Sequence, residues 1–166
     1  LNMGCPDPTV VKNGAGSDLI RHQDLAAQLV SAAKESGLPV SVKIRLGFYD
    51  PMEFRDWLPV ILQQDVAVLT VHLRSRKEMS KAPAHFELID EIVAMRDAIA
   101  PNTLLQINGD IKSRAEGEAL AQAHPGVDGI MIGRGIFENP YAFEESPRQH
   151  TLEESDRKST RLNSSH

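Results

Sequence analysis

Short alternating runs of apolar and polar residues separate longer stretches of helical spacing along most of this chain. Over residues 39–45 the alternation is strict, with Val40, Val42 and Ile44 on one side and Ser41, Lys43 and Arg45 on the other, which predicts a half-buried strand. Residues 68–73, 104–108 and 129–132 predict three further strands, the last short and buried, and Leu1 with Asn2 reads as the tip of a fifth. Between the strands, Leu25, Leu29, Val30 and Ala33 fall on one helix face, with Asp24 as its cap and Gly37 as its stop. Phe54, Trp57, Leu58, Ile61 and Leu62 define a second helix, with a kink expected at Pro59. A third is predicted over residues 86–98, with Ile89, Ile92 and Val93 turned inward. Ser113 and Glu116 form a capping box ahead of a fourth, whose inner face is expected to carry Ala119, Leu120 and Ala123.

Strands alternating with helices imply βαβ units and a parallel sheet, an α/β class. The strands begin near residues 40, 68, 104 and 129. That rhythm suits a (β/α)8 barrel of about 250 residues, of which this chain would hold about half; an open, doubly wound sheet is the structural alternative. Strand parity favours the barrel. Strands buried on both faces read as continuous apolar runs, yet here one parity is polar and becomes more so toward each carboxyl end. Lys43 and Arg45 close one strand, Thr70, His72 and Arg74 the next, and Gln106 and Asn108 the third. Those ends form the mouth in which barrels of this kind build their sites.

Composition narrows the classes. The chain has 166 residues, 41% of them hydrophobic, a formal charge of -5 and a single cysteine. No apolar run approaches the roughly 20 residues of a membrane span, so no membrane partner is expected. One cysteine forms neither an internal disulfide nor a multi-cysteine metal site, and a reducing, cytoplasmic setting without a metal follows. The negative charge argues against bulk affinity for nucleic acid while leaving room for a local basic patch. Residues 1–146 are read as one partial barrel domain. Residues 147–166, rich in Ser, Arg, Asn and Glu, are read as a disordered or foreign tail.

Five segments stand where strands end: Asn2-Met-Gly-Cys-Pro6, Val42-Lys-Ile-Arg45, Val71-His-Leu-Arg74, Asn108-Gly-Asp110 and Met131-Ile-Gly-Arg-Gly135. Singly, each has a plain structural reading. Cys5 suits a core thiol, Lys43 and Arg45 a solvated edge, His72 a satisfied structural histidine, and the two glycine-containing segments tight turns. Together, in this order, with Gly14-Ala-Gly16, Arg76 and Asn139-Pro140, they resemble the tRNA-dihydrouridine synthase family from Asn2 to about Phe143.

That resemblance implies an FMN-containing TIM barrel, present here as about its C-terminal half (strands 4–8), that reduces uridines in tRNA with NADPH as reductant. Cys5 then matches the catalytic acid, a thiol whose proton is available near neutral pH. Lys43 matches the lysine at the flavin ring and His72 a histidine near the cofactor phosphate. Asn108, Gly109 and Asp110 match the loop holding the ribityl and phosphate region, and Gly133 and Arg134 the phosphate clamp. Arg45, Arg74 and Arg76 are expected to meet tRNA, Arg74 and Arg76 within a basic cluster completed by Lys77 and Lys81. The family's early Pro-Met segment and flavin-binding glutamine lie outside this sequence, as does its C-terminal helical domain, and Leu73 stands where glycine is commoner. A truncated member that binds FMN weakly or not at all by itself is therefore expected. The alternatives are a flavin barrel oxidoreductase acting on a free pyrimidine, and an inactive fragment or non-catalytic RNA-binding protein.

Overall fold

The computed structural model describes residues 1–145 together with His150, Thr151 and Glu154; the expected tail over 147–166 lies, but for those three, outside the described residues. Four strands form the sheet: β1 (Ser41–Arg45), β2 (Val68–His72), β3 (Leu104–Asn108) and β4 (Gly129–Met131). They lie side by side in chain order, every neighbouring pair parallel. Residues 1–3 run along the free edge of β1, where Lys43 N–H donates to the Leu1 carbonyl at 2.9 Å and Met3 N–H to the Lys43 carbonyl at 2.8 Å. The expected fifth strand is thus a stub held through a single bridge, Asn2 to Lys43.

The helices are α1 (Pro8–Lys12), α2 (Gln23–Lys34), α3 (Phe54–Leu62), α4 (Ile89–Ile99), α5 (Arg114–Ala123) and α6 (Gly135–Glu138). One sheet face joins the apolar core. Val42, Ile44, Leu69, Val71, Leu105 and Ile107 are buried with Ala26 and Val30 of α2, Trp57, Leu58 and Ile61 of α3, and Ile89 and Ile92 of α4. The opposite parity is polar and stands in register. Lys43, Thr70, Gln106 and Gly129 make one row across the sheet, and Arg45, His72, Asn108 and Met131 the row nearer the carboxyl ends. Thr70 Oγ1 donates to Gln106 Oε1 at 3.0 Å within the first row. Below it, Leu104 is 52% exposed on the same face. One apolar and one polar face is the pattern of part of a (β/α) barrel rather than of a sheet covered on both sides.

Local differences from the pattern have physical causes. Helix α2 begins at Gln23 with His22 before it, so Asp24 lies in the first turn and is not the cap. Its buried residues are Ala26 and Val30, whereas Leu25 and Leu29 are 44% and 41% exposed. Helix α5 turns Gly117 and Leu120 to the sheet while Ala119 and Ala123 face out. The determinant is Gly117, since a Cβ there would lie 2.5 Å from Ile130 Cγ1, and its absence lets the helix settle on β4. Ser113 does cap α5, its Oγ accepting Glu116 N–H at 3.2 Å, but the Glu116 carboxylate accepts from Lys112 N–H rather than from Ser113. Strand β4 ends at Met131 and is half-buried, not buried. The third predicted helix opens as a 3-10 turn, Phe86–Leu88, before α4. Pro59 lies inside α3, three residues before its last residue, Leu62.

Candidate functional site

The loops at the carboxyl ends of the strands meet at one rim, and side chains of the second row hold them there. Arg45 ends β1 and is only 6% exposed. Its Nε donates to the Gly4 carbonyl at 2.9 Å, and its Nη1 donates to the Ser75 and Met79 carbonyls at 3.1 and 3.0 Å. One guanidinium therefore ties the segment carrying Cys5 to the loop that follows β2. Trp57 fixes the same corner from α3, donating from Nε1 to the Arg45 carbonyl at 3.2 Å.

The Cys5 segment is shaped by its neighbours. Gly4 N–H donates to Asn2 Oδ1 at 3.1 Å, and the Cys5 carbonyl accepts Ser17 N–H at 2.9 Å. Gly16 has φ of +60°, and a Cβ there would meet the Cys5 carbonyl oxygen at 2.7 Å and Cys5 Cβ at 3.0 Å. Glycine is required on both counts. The Cys5 thiol is free and half-buried, not sealed in apolar packing.

The loops after β3 and β4, with the end of β2, line a cleft of about 340 Å³. His72, Arg74, Asn108, Gly109, Asp110, Gly133 and Arg134 all lie on it, so seven of the residues singled out from sequence converge here. Arg74 is 2% exposed and anchors the arrangement. Its Nη2 donates to Asp110 Oδ2 at 2.5 Å, its Nε to the Ala82 carbonyl at 2.6 Å, and its Nη1 lies 3.3 Å from His72 Nε2. Because a guanidinium has only donors, His72 Nε2 accepts, which leaves the ring proton on Nδ1. Burial, reinforced by the charges of Arg45, Lys43 and Arg74, lowers the His72 pKa to about 3, so the ring is neutral at physiological pH.

Asp110 takes a left-handed backbone, φ 52°, immediately after Gly109 at φ 132°. Its carboxylate also accepts Ala84 N–H at 2.9 Å. Burial alone would raise this carboxyl, yet the hydrogen bonds from Arg74 and Ala84 outweigh burial and hold it below its ordinary value. Asn108 Nδ2 donates to the Met131 carbonyl at 2.8 Å, linking the β3 and β4 loops. Lys43, one row below, has no carboxylate partner among the described residues, and burial followed by the Arg45 charge lowers its ammonium to about 8. The same effects, burial and then Arg74, lower Arg45 to about 10.

This set of groups suits an anionic, phosphate-bearing ligand. A Cβ at Gly133 would meet only Asn108 Nδ2, at 3.9 Å, so backbone is open to a close approach. Arg134 is exposed and, among the described residues, lacks a carboxylate partner. Lys112 adds a further cation to the lining, where the carboxylates are Glu138 and the Asp110 already engaged by Arg74. Among the described residues no cluster of His, Cys, Asp and Glu could hold a metal ion, and no helix is long and apolar enough to cross a membrane.

Arg45 and Arg74, expected to meet tRNA, are buried with their N–H groups directed at protein carbonyls, His72 and Asp110. They brace the rim. Arg76 is the one of the three arginines that reaches the surface in part. Sequence reading also passed over Glu53, whose carboxylate accepts the N–H groups of Phe48, Tyr49 and Asp50 at 2.7, 3.1 and 3.1 Å. The Asp50-Pro-Met-Glu53 capping box was its available signal.

The family model described as dihydrouridine synthase matches residues 1–165. A probable tRNA-dihydrouridine synthase of Staphylococcus aureus is 58% identical over 154 residues, 93% of this chain and 47% of the relative. Probable tRNA-dihydrouridine synthase 2 of Bacillus subtilis is 59% identical over the same coverage. The chain thus spans about half the length of the curated relatives it matches.

Proposed function

The chain belongs to the dihydrouridine synthase family, and from that premise we propose that it serves the flavin-dependent reduction of uridine to 5,6-dihydrouridine in tRNA, a cytoplasmic reaction. Flavin mononucleotide, when bound, supplies the hydride that reaches carbon 6 of the uracil, and NADPH replenishes it. The remaining chemistry falls to side chains of this chain. Gly133, Arg134 and the Asn108-Gly109-Asp110 loop hold the phosphate and ribityl end, with the Nδ1–H of neutral His72 as a further donor. Lys43 lies one row deeper, where a cation favours a negatively charged ring. Cys5 supplies a thiol proton to carbon 5 and then regains one from solvent. Arg76, partly exposed on the loop after β2, meets the tRNA.

We assign the strands to positions 4–8 of the barrel, counting residues 1–3 as the first. Barrels commonly bind phosphate at the loops after their last two strands, and here the cleft is lined by the loops after β3 and β4. The observation that carries the reading is the Arg45–Gly4 hydrogen bond. It joins the Cys5 segment to the row Arg45, His72 and Asn108 that borders the cleft. Incubation with FMN, NADPH and either an unmodified tRNA transcript or free uridine, followed by mass spectrometry of nucleosides, tests it. Dihydrouridine in the tRNA alone supports the assignment; reduction of free uridine in preference to tRNA favours the free-pyrimidine alternative.

A further inference from the structure

Away from the cleft, the loops after β1 and β2 build a second feature of the same rim. Phe48 is 3% exposed, and its ring is flanked by two guanidinium groups, Arg21 at 4.3 Å and Arg76 at 5.2 Å from the centroid. Tyr49 meets Phe48 edge-on, with centroids 4.7 Å apart and planes at 73°, and is itself 57% exposed. Such a ring would ordinarily move freely, but its backbone is fixed. Glu53 accepts three successive N–H groups of residues 48–50. Arg76 and Lys77 N–H donate to the Gly47 and Phe48 carbonyls at 2.7 and 2.9 Å. Arg21 is neutralised by buried Asp18, whereas Arg76 has no carboxylate partner among the described residues and its buried Nε–H has no acceptor.

An exposed aromatic on an anchored backbone, beside a part-exposed guanidinium that has no carboxylate partner among the described residues, matches one chemistry well, an unstacked base next to its phosphate. An acidic peptide would engage the cation but would not use the aromatic face. We propose that Tyr49, backed by the Phe48–arginine stack, receives an unpaired base of bound RNA while Arg76 takes the adjoining phosphate. This rests on the tRNA reading above and adds the docking surface to it. Arg45 connects the two, since its Nη1 bonds to Ser75 and Met79 hold the Arg76 loop while its Nε bond holds the Cys5 segment.

The test is fluorescence anisotropy of the chain with an unmodified tRNA transcript and with an oligoadenylate lacking uridine, using Tyr49→Ala, Tyr49→Phe and Arg76→Gln, each checked for fold by circular dichroism. Tyr49→Ala is expected to weaken both RNAs by ~5-fold or more, while Tyr49→Phe, which keeps the ring, stays within about twofold. Arg76→Gln is expected to reduce the salt dependence of binding by roughly 0.7 of a logarithmic unit per decade, one phosphate contact. Tyr49→Ala binding both RNAs like the parent overturns the proposal, as does a parent chain that binds neither, or polyglutamate competing as well as oligoadenylate. Tyr49-dependent oligoadenylate binding without any dihydrouridine formation would uphold the platform and sink only the catalytic reading.

Discussion

Arg74 and Asp110 close on each other at 2.5 Å across the ends of β2 and β3, the arginine 2% exposed and the aspartate held in a left-handed backbone. A non-glycine residue with positive φ costs of order 1 kcal/mol, and here the carboxylate offsets it by bonding both Arg74 and the Ala84 N–H. Asp110→Asn keeps the backbone preference but leaves the buried guanidinium uncompensated. A loss of about 1–2 kcal/mol is expected, discounted because the Asp110 side chain is 36% exposed, and is read as a lower urea midpoint at unchanged slope. The carboxyl lies below its unfolded value, so this contribution is present above about pH 4 and is lost as pH falls through the depressed pKa.

His72 also lowers stability as pH falls, but over a higher pH window. Its folded pKa of about 3 lies below the unfolded value of about 6.5. As pH falls below about 6.5 the unfolded chain takes up a proton that the folded chain refuses, so stability declines toward pH 3. Between pH 7 and pH 5 the expected loss is about 2 kcal/mol. Denaturant unfolding of the parent and of His72→Gln at both pH values isolates it, the variant showing the smaller decline. In the nuclear magnetic resonance spectrum the His72 ring should not titrate from pH 5 to 8.

Lys43, lowered to about 8, is half neutral at that pH, whereas an exposed lysine is almost wholly protonated. Acylation at pH 8 followed by peptide mass spectrometry should therefore modify Lys43 ahead of the other lysines, by about tenfold or more once accessibility is matched.

Gly14 and Gly16 both have positive φ, +73° and +60°, but a Cβ at Gly14 meets nothing within 4 Å while one at Gly16 would strike the Cys5 carbonyl at 2.7 Å. Gly14→Ala should cost about 1 kcal/mol from backbone strain alone. Gly16→Ala should cost about 2 kcal/mol or more and also change the rate at which Cys5 reacts with a disulfide reagent. Equal thiol rates in the two variants would mean that Gly16 does not shape the Cys5 segment.

The sheet was readable in sequence because its two faces differ so strongly. Alternation over residues 39–45 and 104–108 located β1 and β3 and assigned Lys43, Gln106 and Asn108 to the polar face. Helix faces were less legible. Counting leucine and alanine as apolar put Leu25 and Ala119 inward, whereas close packing kept the expected Val30 and selected Ala26 and Gly117, residues small enough for helices to approach the sheet. The residues that converge on the cleft were found by type, but the differences in burial among the arginines were not. Arg45, Arg74 and Arg76 look alike in sequence, and only burial separates the two that brace loops from the one that reaches solvent. Arg96 carried no signal at all. It is 6% exposed and joins the Thr103 and Gly126 carbonyls to Asp128 at the far end of β3 and β4, contacts 7 to 32 residues away along the chain.

The most direct measurement is the dihydrouridine content of unmodified tRNA after reaction with FMN and NADPH, compared between the enzyme containing this sequence and its Cys5→Ala variant. Loss of the thiol proton is expected to lower the rate by about 100-fold or more while FMN and tRNA binding persist. A variant that forms dihydrouridine at the parental rate would contradict the assignment of Cys5 as the acid at this rim.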